Sequence, residues 1–157
     1  MNDVDRAAIE AMLRDAGLRV TGPRLTALGV LIEHPHCDMD TVLRLVRQQL
    51  GSLSTQAGYD VLAALVQAGL ARRIEPAGSA ARFEARVADN HHHVVCRVCG
   101  RIEDVDCAVG AAPCLEPSQR HGFALDEAEI TFWGLCPQCR RSTADRPRRA
   151  RTGAPTR

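Results

Sequence analysis

The chain has 157 residues and a formal net charge of +1, with 45% hydrophobic and 25% charged residues. These values are typical of a globular protein with one ordinary domain or two small ones. No apolar run approaches the roughly 18 residues that a membrane helix needs, and the first five residues do not resemble a signal peptide, so we expect a cytoplasmic protein that binds no membrane.

Helical patterns occupy the beginning of the chain. Apolar residues within 9–16 follow the 3.6-residue period of an amphipathic helix, and Gly17 is suited to its C-terminal cap. A second helix is predicted to begin at Thr21, with Pro23 in its first turn, and to end at residues 34–35, a His-Pro pair.

Two more helices are predicted before residue 70. Either Asp38 or Asp40 is a suitable N-cap for a third helix, which closes at Gly51. Either Ser54 or Thr55 begins a fourth helix. The spacing of these signals predicts four consecutive short helices.

A hairpin follows the helices. Residues 71–75 and 81–85 have strand character and flank the turn residues 76–79. Helices followed by a two-stranded wing predict a winged helix-turn-helix domain, in which the helix before the wing enters the major groove of DNA. A helical bundle with a hairpin is the alternative. DNA binding would require clustered positive charge, and the candidates for such a cluster are Arg19, Arg24, Arg72, Arg73 and Arg82.

The second half of the chain has a different pattern. Short strands are predicted over 92–96, 101–106 and 129–135, with a short helix over 113–120. Three short strands and one helix form a weak independent core. This half is therefore expected to need a metal ion, a partner subunit, or both.

The net charge changes along the chain and indicates the domain boundaries. Residues 1–88 carry ten arginines and ten acidic residues, whereas residues 89–139 carry three arginines and eight acidic residues, a net charge of −5. Residues 140–157 carry seven arginines and one acidic residue, a net charge of +6. We predict a winged-helix domain over 1–88, a metal-binding domain over 89–141 and a disordered basic tail over 142–157.

The cysteines predict a structural zinc site. The chain has seven, an odd number that argues against a simple disulfide framework. Four of them form two C-x-x-C pairs, Cys96 with Cys99 and Cys136 with Cys139. Two such pairs complete a tetrahedral shell of four thiolates around Zn²⁺. Two unrelated reduced pairs or a disulfide are the alternatives.

A second candidate metal site contains nitrogen and oxygen ligands. On a strand, the side chains of His91 and His93 lie on one face and that of His92 lies on the opposite face. Together with Glu84 and the distant His36, the first two form a ligand set suited to Fe²⁺, Mn²⁺, Zn²⁺ or Co²⁺. Because these residues lie on both sides of the charge boundary, a metal bound by all of them would set the angle between the domains. An exposed polar run is the alternative for the histidine triplet.

The remaining ligand-type residues give weaker signals. His92 is a candidate for a third metal site with Asp104 and His121, although acidic residues on a strand often form only a solvated face. The other three cysteines are predicted to be ordinary buried thiols, with a redox role as the alternative; they are Cys37, Cys107 and Cys114.

Taken together, these motifs resemble the ferric uptake regulator (Fur) family over about residues 5–141. The resemblance rests on residues 17–24 (GLRVTGPR), on residues 59–62 (YDVL), and on the histidine triplet and the two C-x-x-C pairs. It is closest to the actinobacterial FurA-type branch, on the segments 89–93, 104–110 and 133–137.

This resemblance implies an α+β fold, with an N-terminal winged helix-turn-helix domain followed by a small α/β dimerisation domain that contains three short strands. It implies a homodimeric transcriptional repressor that binds double-stranded operator DNA. It places the regulatory metal, Fe²⁺ or another divalent ion, on His36, Glu84, His91 and His93, and the structural Zn²⁺ on the four paired cysteines.

The resemblance also implies a DNA-binding surface. Tyr59 lies where the family's recognition helix touches bases, and Arg19 lies where a basic residue meets the DNA backbone or minor groove. The full candidate set is Arg19, Thr21, Arg24, Ser54, Thr55, Gln56, Tyr59 and Arg82. Gly58 departs from the family, which has an apolar residue there, and this glycine is expected to loosen the helix or to allow closer approach to DNA.

The FurA-type branch implies control of a catalase-peroxidase gene and of iron-linked oxidative-stress genes. A zinc, nickel or manganese sensor of the same family is an alternative. Two further alternatives are a thiol-based redox switch, with Cys96 and Cys99 as the dithiol, and a metallochaperone or zinc-ribbon module. No residues resemble a catalytic nucleophile, base and oxyanion arrangement, so we expect no enzymatic activity.

Overall fold

The first unit of the chain, within residues 1–90, contains the helices and the wing. The computed structural model describes residues 3–85, 91–106, 119–124 and 130–144. In this unit the helices are α1 (Asp3–Asp15), α2 (Gly22–Glu33), α3 (Met39–Leu50) and α4 (Thr55–Gln67), and the strands are β1 (Cys37–Asp38), β2 (Arg72–Ile74) and β3 (Arg82–Glu84). The four predicted helices and the hairpin are confirmed.

Local capping explains where these helices begin and end. Asp38 accepts a hydrogen bond from the backbone N–H of Thr41 at 2.9 Å, and Ser54 accepts one from the N–H of Ala57 at 3.1 Å. These bonds satisfy N–H groups that have no partner in the first turn of a helix. Gly51 follows α3 with φ of +82°, a left-handed conformation that glycine adopts without steric cost.

The core of the first unit is aliphatic. Burying a leucine completely contributes about 1.5–3 kcal/mol, so such a core needs few aromatic anchors. Its largest completely buried apolar side chains are Leu13, Leu25, Leu28, Leu31, Leu62 and Leu65. Phe83 of β3 packs against the same cluster and attaches the wing to the helices.

The strands of the first unit form an antiparallel sheet in the order β1-β3-β2. The sequence did not predict β1, which has only two residues and pairs Cys37 with Phe83. Continued by one position, this register sets His36 opposite Glu84. His36 has a φ of +60°, which is uncommon for a residue with a side chain.

Asp38 should make the stability of the first unit depend on pH. Hydrogen bonds from the side chain and backbone of Thr41 lower the pKa of Asp38 below its ordinary value of 3.8. A lowered pKa adds stability that is present above the unfolded-state value and is lost as the pH falls through the folded-state value. Asp38→Asn keeps a capping oxygen but loses the charge, so at pH 7 it should be less stable by about 0.3–1 kcal/mol.

Urea unfolding of both proteins between pH 7 and pH 3 tests this expectation. The difference in free energy of unfolding should decrease toward zero below the ordinary pKa of 3.8. A difference that stays constant over this range would show that the Asp38 charge does not stabilise the α3 terminus.

The second unit, within residues 91–157, is built on a mixed sheet. Its strands are β4 (His92–Cys96), β5 (Ile102–Val105) and β6 (Thr131–Gly134), in the order β5-β4-β6. β4 pairs antiparallel with β5 and parallel with β6. The three predicted strands are confirmed. Most of the helix predicted over 113–120 lies outside the described residues, and residues 119–120 are not helical.

The second unit also contains a helix that was not among the predicted elements. α5 (Pro137–Ala144) begins inside the second C-x-x-C pair, with proline in its first position. Proline is favoured there because its missing N–H would have no intrahelical partner. α5 continues through residue 144, so the prediction that the disordered tail starts at residue 142 is wrong for 142–144; residues 145–157 lie outside the described part. Nowhere in the described ranges is there a helix with the length and apolar character that a bilayer crossing requires.

Candidate metal sites and DNA-binding surface

The four paired cysteines converge in the second unit. The sulfur atoms of Cys96, Cys99, Cys136 and Cys139 all lie within 4.8 Å of one another. The Cys99 and Cys136 sulfurs are 3.7 Å apart. Sulfurs bound to one zinc ion at about 2.3 Å lie roughly 3.8 Å apart in tetrahedral geometry. The arrangement therefore fits Zn²⁺, which prefers a closed shell of four thiolates.

Strand pairing explains why two distant cysteine pairs meet. Cys96 ends β4 and pairs with Gly134 of the parallel strand β6. Each chain segment then turns directly after its strand, the first through Gly100 with φ of +71° and the second into α5. The parallel direction puts both turns at the same end of the sheet, and both carry a C-x-x-C pair.

Backbone N–H groups prepare this cluster for a cation. The Cys136 N–H donates to the Cys96 sulfur at 3.3 Å, and this bond is the largest of several that lower the Cys96 pKa to about 6. The Cys139 N–H likewise lowers the pKa of Cys136. Hydrogen bonding to the Cys136 sulfur raises the pKa of Cys139 to about 12. The protein alone thus favours a partly protonated cluster, and a bound cation is what would ionise every thiol.

The histidine triplet is buried, so the alternative prediction that it forms an exposed polar run is wrong. His91, His92 and His93 are each at most 4% exposed. The His91 and His93 rings meet edge to face at 4.9 Å, as expected for side chains on one face of a strand. His92 lies on the other face, where its ring is 6.4 Å from that of Phe132.

Asp104 belongs with His91 and His93. It lies directly opposite His93 in the β4–β5 register, so both side chains share a face. Its Oδ1 is 3.7 Å from His93 Nε2 and 3.9 Å from His91 Nε2. The prediction that Asp104 joins His92 is wrong, because the register puts these two side chains on opposite faces of the sheet. His121 is exposed in a turn, and within the described ranges neither it nor His92 joins a cluster of three metal ligands.

His36 and Glu84 meet in the first unit. His36 Nε2 lies 3.1 Å from Glu84 Oε2, and the Glu84 side chain is completely buried. Removing a carboxylate from water is costly unless hydrogen bonds or a cation compensate for the lost solvation. The first unit therefore provides a pair of a half-buried histidine and a buried carboxylate, and the second unit provides a His-His-carboxylate group. Both have the nitrogen and oxygen donors that suit Fe²⁺, Mn²⁺ or Zn²⁺.

The candidate DNA-binding residues near α2 and α4 lie close together. Arg19, Thr21 and Arg24 border a shallow cavity of about 470 Å³ whose lining also includes Ala57 and Asp60 of α4. Arg24 donates a hydrogen bond to the carbonyl of Arg19 at 3.0 Å, which fixes this segment. The exposed Arg19 and the half-buried Arg24 lie beside the helix that precedes the wing, where arginines suit contact with phosphates that flank a groove.

Side chains at the start of α4 are exposed and held in place. Ser54 is the N-cap, and Gln56 donates to Asp60 at 2.9 Å. The Thr55 hydroxyl accepts a hydrogen bond from Arg47 of α3 at 3.1 Å. Tyr59 projects from the same helix with 52% of its surface exposed.

Sequence reasoning missed Arg47, which connects α3 to α4. Its Nε donates to the Leu53 carbonyl at 2.7 Å, in addition to the bond to Thr55. The position of an arginine in the last turn of the third helix, shortly before a predicted N-cap, was the available signal. Arg47 fixes the turn between the two helices.

Two of the wing arginines have acidic neighbours in the structure. Arg82 lies 3.5 Å from Asp38 across the β1–β3 pair, and Arg73 pairs with Glu75.

Among the unpaired cysteines, Cys37 lies in β1, and burial raises the pKa of its thiol. A raised pKa keeps this half-buried thiol protonated, which favours an inert cysteine. Cys107 and Cys114 lie outside the described residues.

The chain is similar in sequence and in fold to known metal-uptake regulators. A sequence model of the ferric uptake regulator family matches residues 15–133. The transcriptional regulator FurA of Mycobacterium tuberculosis is 58% identical over 134 residues, 85% of this chain and 91% of FurA. Ferric uptake regulation protein 1 of Mycolicibacterium fortuitum is 61% identical over 122 residues, 78% of this chain and 76% of that protein. The crystal structure of the Vibrio cholerae ferric uptake regulator aligns with a TM-score of 0.64 at 28% identity, over 81% of this chain and 98% of that one.

Proposed function

Because the chain belongs to the ferric uptake regulator family of metal-dependent transcriptional repressors, we propose that it binds operator DNA as a homodimer when a divalent metal occupies its regulatory site. The observation that carries this proposal is the pair of ligand groups, His36 with Glu84 in one unit and the His91, His93 and Asp104 group in the other. We propose that one metal ion binds both groups.

The division of ligands between the units supplies the mechanism. A metal that binds both groups favours the arrangement of units in which both groups reach it. The same arrangement would present the α4 helices of a dimer to successive faces of the operator. Since a ligand can shift an equilibrium only by its differential affinity for the two states, the metal strengthens DNA binding by that difference and no more.

The cysteine cluster has a separate, structural role in this proposal. Cys96, Cys99, Cys136 and Cys139 would hold Zn²⁺, whose chemistry there is cross-linking without redox change. Zinc bound by these residues would connect the ends of β4 and β6 and the start of α5. It would thereby supply the second unit with stability that its short strands lack.

The regulatory metal we propose is Fe²⁺, and the regulated genes are those of a catalase-peroxidase and of iron-linked oxidative-stress defence. The donor set of imidazoles and carboxylates suits Fe²⁺, and FurA of Mycobacterium tuberculosis is among the similar chains. A protein with this role acts on DNA in the cytoplasm and needs no catalytic residues.

An anaerobic titration tests the function. Zinc-loaded protein without regulatory metal is mixed with a duplex selected from a random library by the metal-loaded protein, and the dissociation constant is measured with Fe²⁺, Mn²⁺, Ni²⁺ or Zn²⁺. Fe²⁺ should give the strongest enhancement at its intracellular concentration, and peroxide should abolish it. Duplex binding that is independent of every metal would refute the proposal.

Arg19→Ala should change how DNA binding depends on salt. Each phosphate contact made by an arginine releases a condensed counterion, so losing one contact should reduce the slope of log affinity against log salt by about 1. Fluorescence anisotropy measured at salt concentrations between about 50 and 300 mM gives this slope. Arg14→Ala is the matched control, because Arg14 is exposed but pairs with Glu10 in α1. Equal slopes for wild type and Arg19→Ala would remove Arg19 from the DNA-binding surface.

A further inference from the structure

Gly58 is buried within α4, at a position where most helices carry a residue that favours helix formation. Its backbone is helical and its N–H donates to the Ser54 carbonyl at 3.1 Å, so the left-handed conformations available to glycine are not the reason for its presence. The space around it supplies the reason. A Cβ atom at this position would lie 2.1 Å from Leu43 Cδ2 and 3.3 Å from Leu43 Cγ.

Leu43 occupies the volume that a side chain at position 58 would take. It belongs to α3 and is 4% exposed, so it is held within the packed interior of the first unit. Protein interiors are packed nearly as densely as organic crystals, and an added methyl group therefore displaces its neighbours. The missing Cβ permits α3 and α4 to lie closer together than two helices with ordinary side chains at this contact.

A second contact holds α4 against α3 from the same side. Arg47 donates to Thr55 at 3.1 Å, and Thr55 precedes Gly58 by three residues, which puts both on one face of the helix. The contacts at Thr55 and Gly58 together set the position of α4 along and toward α3. The residues between and beyond them, Gln56 and Tyr59, are exposed.

We infer that Gly58 is a positioning residue for sequence recognition: its contact with Leu43 sets the distance of α4 from α3, and thereby the reach of Gln56 and Tyr59 into the major groove. This inference rests on the proposed DNA-binding function. Specific recognition requires side chains to meet base edges at hydrogen-bond distance, whereas non-specific binding depends on charge. A displaced α4 should therefore lose specific affinity and retain non-specific affinity.

The test moves one methylene group from position 43 to position 58. Gly58→Ala adds a methyl group, and Leu43→Val removes the Cδ atoms that this group would meet, so the double variant conserves the total volume. Each protein is loaded with zinc and Mn²⁺. Its affinity is measured for a duplex selected by the wild type from a random library and for an unrelated duplex of the same length. Circular dichroism and zinc content are recorded for every variant.

Gly58→Ala should bind the selected duplex about tenfold more weakly, the loss typical of one misplaced base contact, and the unrelated duplex within about twofold of wild type. The double variant should recover its affinity for the selected duplex to within about threefold of the wild-type value. A folded Gly58→Ala protein that binds both duplexes like wild type would overturn the inference. If the single variant does not fold, the double variant decides, since its failure to recover specific binding would also overturn it. A wild-type protein that selects no duplex would instead refute the proposed function.

Discussion

Replacement of Cys96 by serine should remove the structural zinc and unfold the second unit, while the first unit stays folded. Three remaining thiolates cannot complete the tetrahedral shell, and a structural zinc contributes about 10–16 kcal/mol of apparent binding free energy in small zinc domains. The short strands of the second unit cannot replace that contribution. The aliphatic core of the first unit contains none of these cysteines. Zinc content should fall from one ion per chain toward zero.

Trp133 provides a direct measurement of this unfolding. It is the chain's only tryptophan, it lies in β6, and the Arg97 guanidinium carbon is 5.2 Å from its ring. Loss of the β4–β6 pairing should shift its fluorescence to longer wavelength, whereas helical circular dichroism should largely persist. Cys37→Ser is the matched control, since Cys37 lies in β1 of the first unit. This variant protein should keep one zinc ion per chain. A Cys96→Ser protein with a full zinc complement and unchanged Trp133 emission would contradict the assignment.

Replacement of His93 by alanine should uncouple DNA binding from metal without unfolding the protein. His93 is 1% exposed and lies 3.7 Å from Asp104, so its loss removes one of the three proposed ligands of the second unit. In the wild type, metal should strengthen duplex binding by roughly 5–150-fold, the usual range of allosteric coupling. In the variant the enhancement should be less than about twofold.

The control for this experiment is His121→Ala, because His121 is an exposed histidine of the same unit that joins no ligand cluster among the described residues. It should retain the wild-type response to Fe²⁺ or Mn²⁺. Both variants should keep one zinc per chain, which separates loss of regulation from loss of structure. A metal response in His93→Ala equal to that of His121→Ala would exclude His93 from the regulatory site.

Features of the fold that depend on neighbouring residues were predictable from the sequence. The starts of α3 and α4 follow from Asp38 and Ser54, whose side chains bond to N–H groups three residues along the chain. The alternation of His91 and His93 with His92 follows from strand geometry alone. The two C-x-x-C pairs predicted their own cluster because two such pairs complete a tetrahedral shell of four thiolates around one zinc ion.

Features that depend on distant pairing were not predictable in the same way. β1 has two residues and no pattern of its own, and it exists because β3 pairs with it. The face occupied by Asp104 depends on the register of β4 with β5, which a change of one residue in the intervening turn would reverse. The expectation that Gly58 loosens the helix or admits DNA overlooked a third reason, its contact with Leu43. α5 could have been predicted from Pro137.

The parallel pairing of β4 with β6 also has a consequence for the newly synthesised protein. Cys96 and Cys136 are 40 residues apart, so at typical ribosomal rates the first cysteine pair precedes the second by about 2–8 s. During this interval the β6 partner of β4 does not yet exist. The N–H of Cys136 is also missing, and it is the largest cause of the lowered pKa of Cys96. The nascent Cys96 thiol therefore lacks this hydrogen bond until the pair that completes its metal shell has been made.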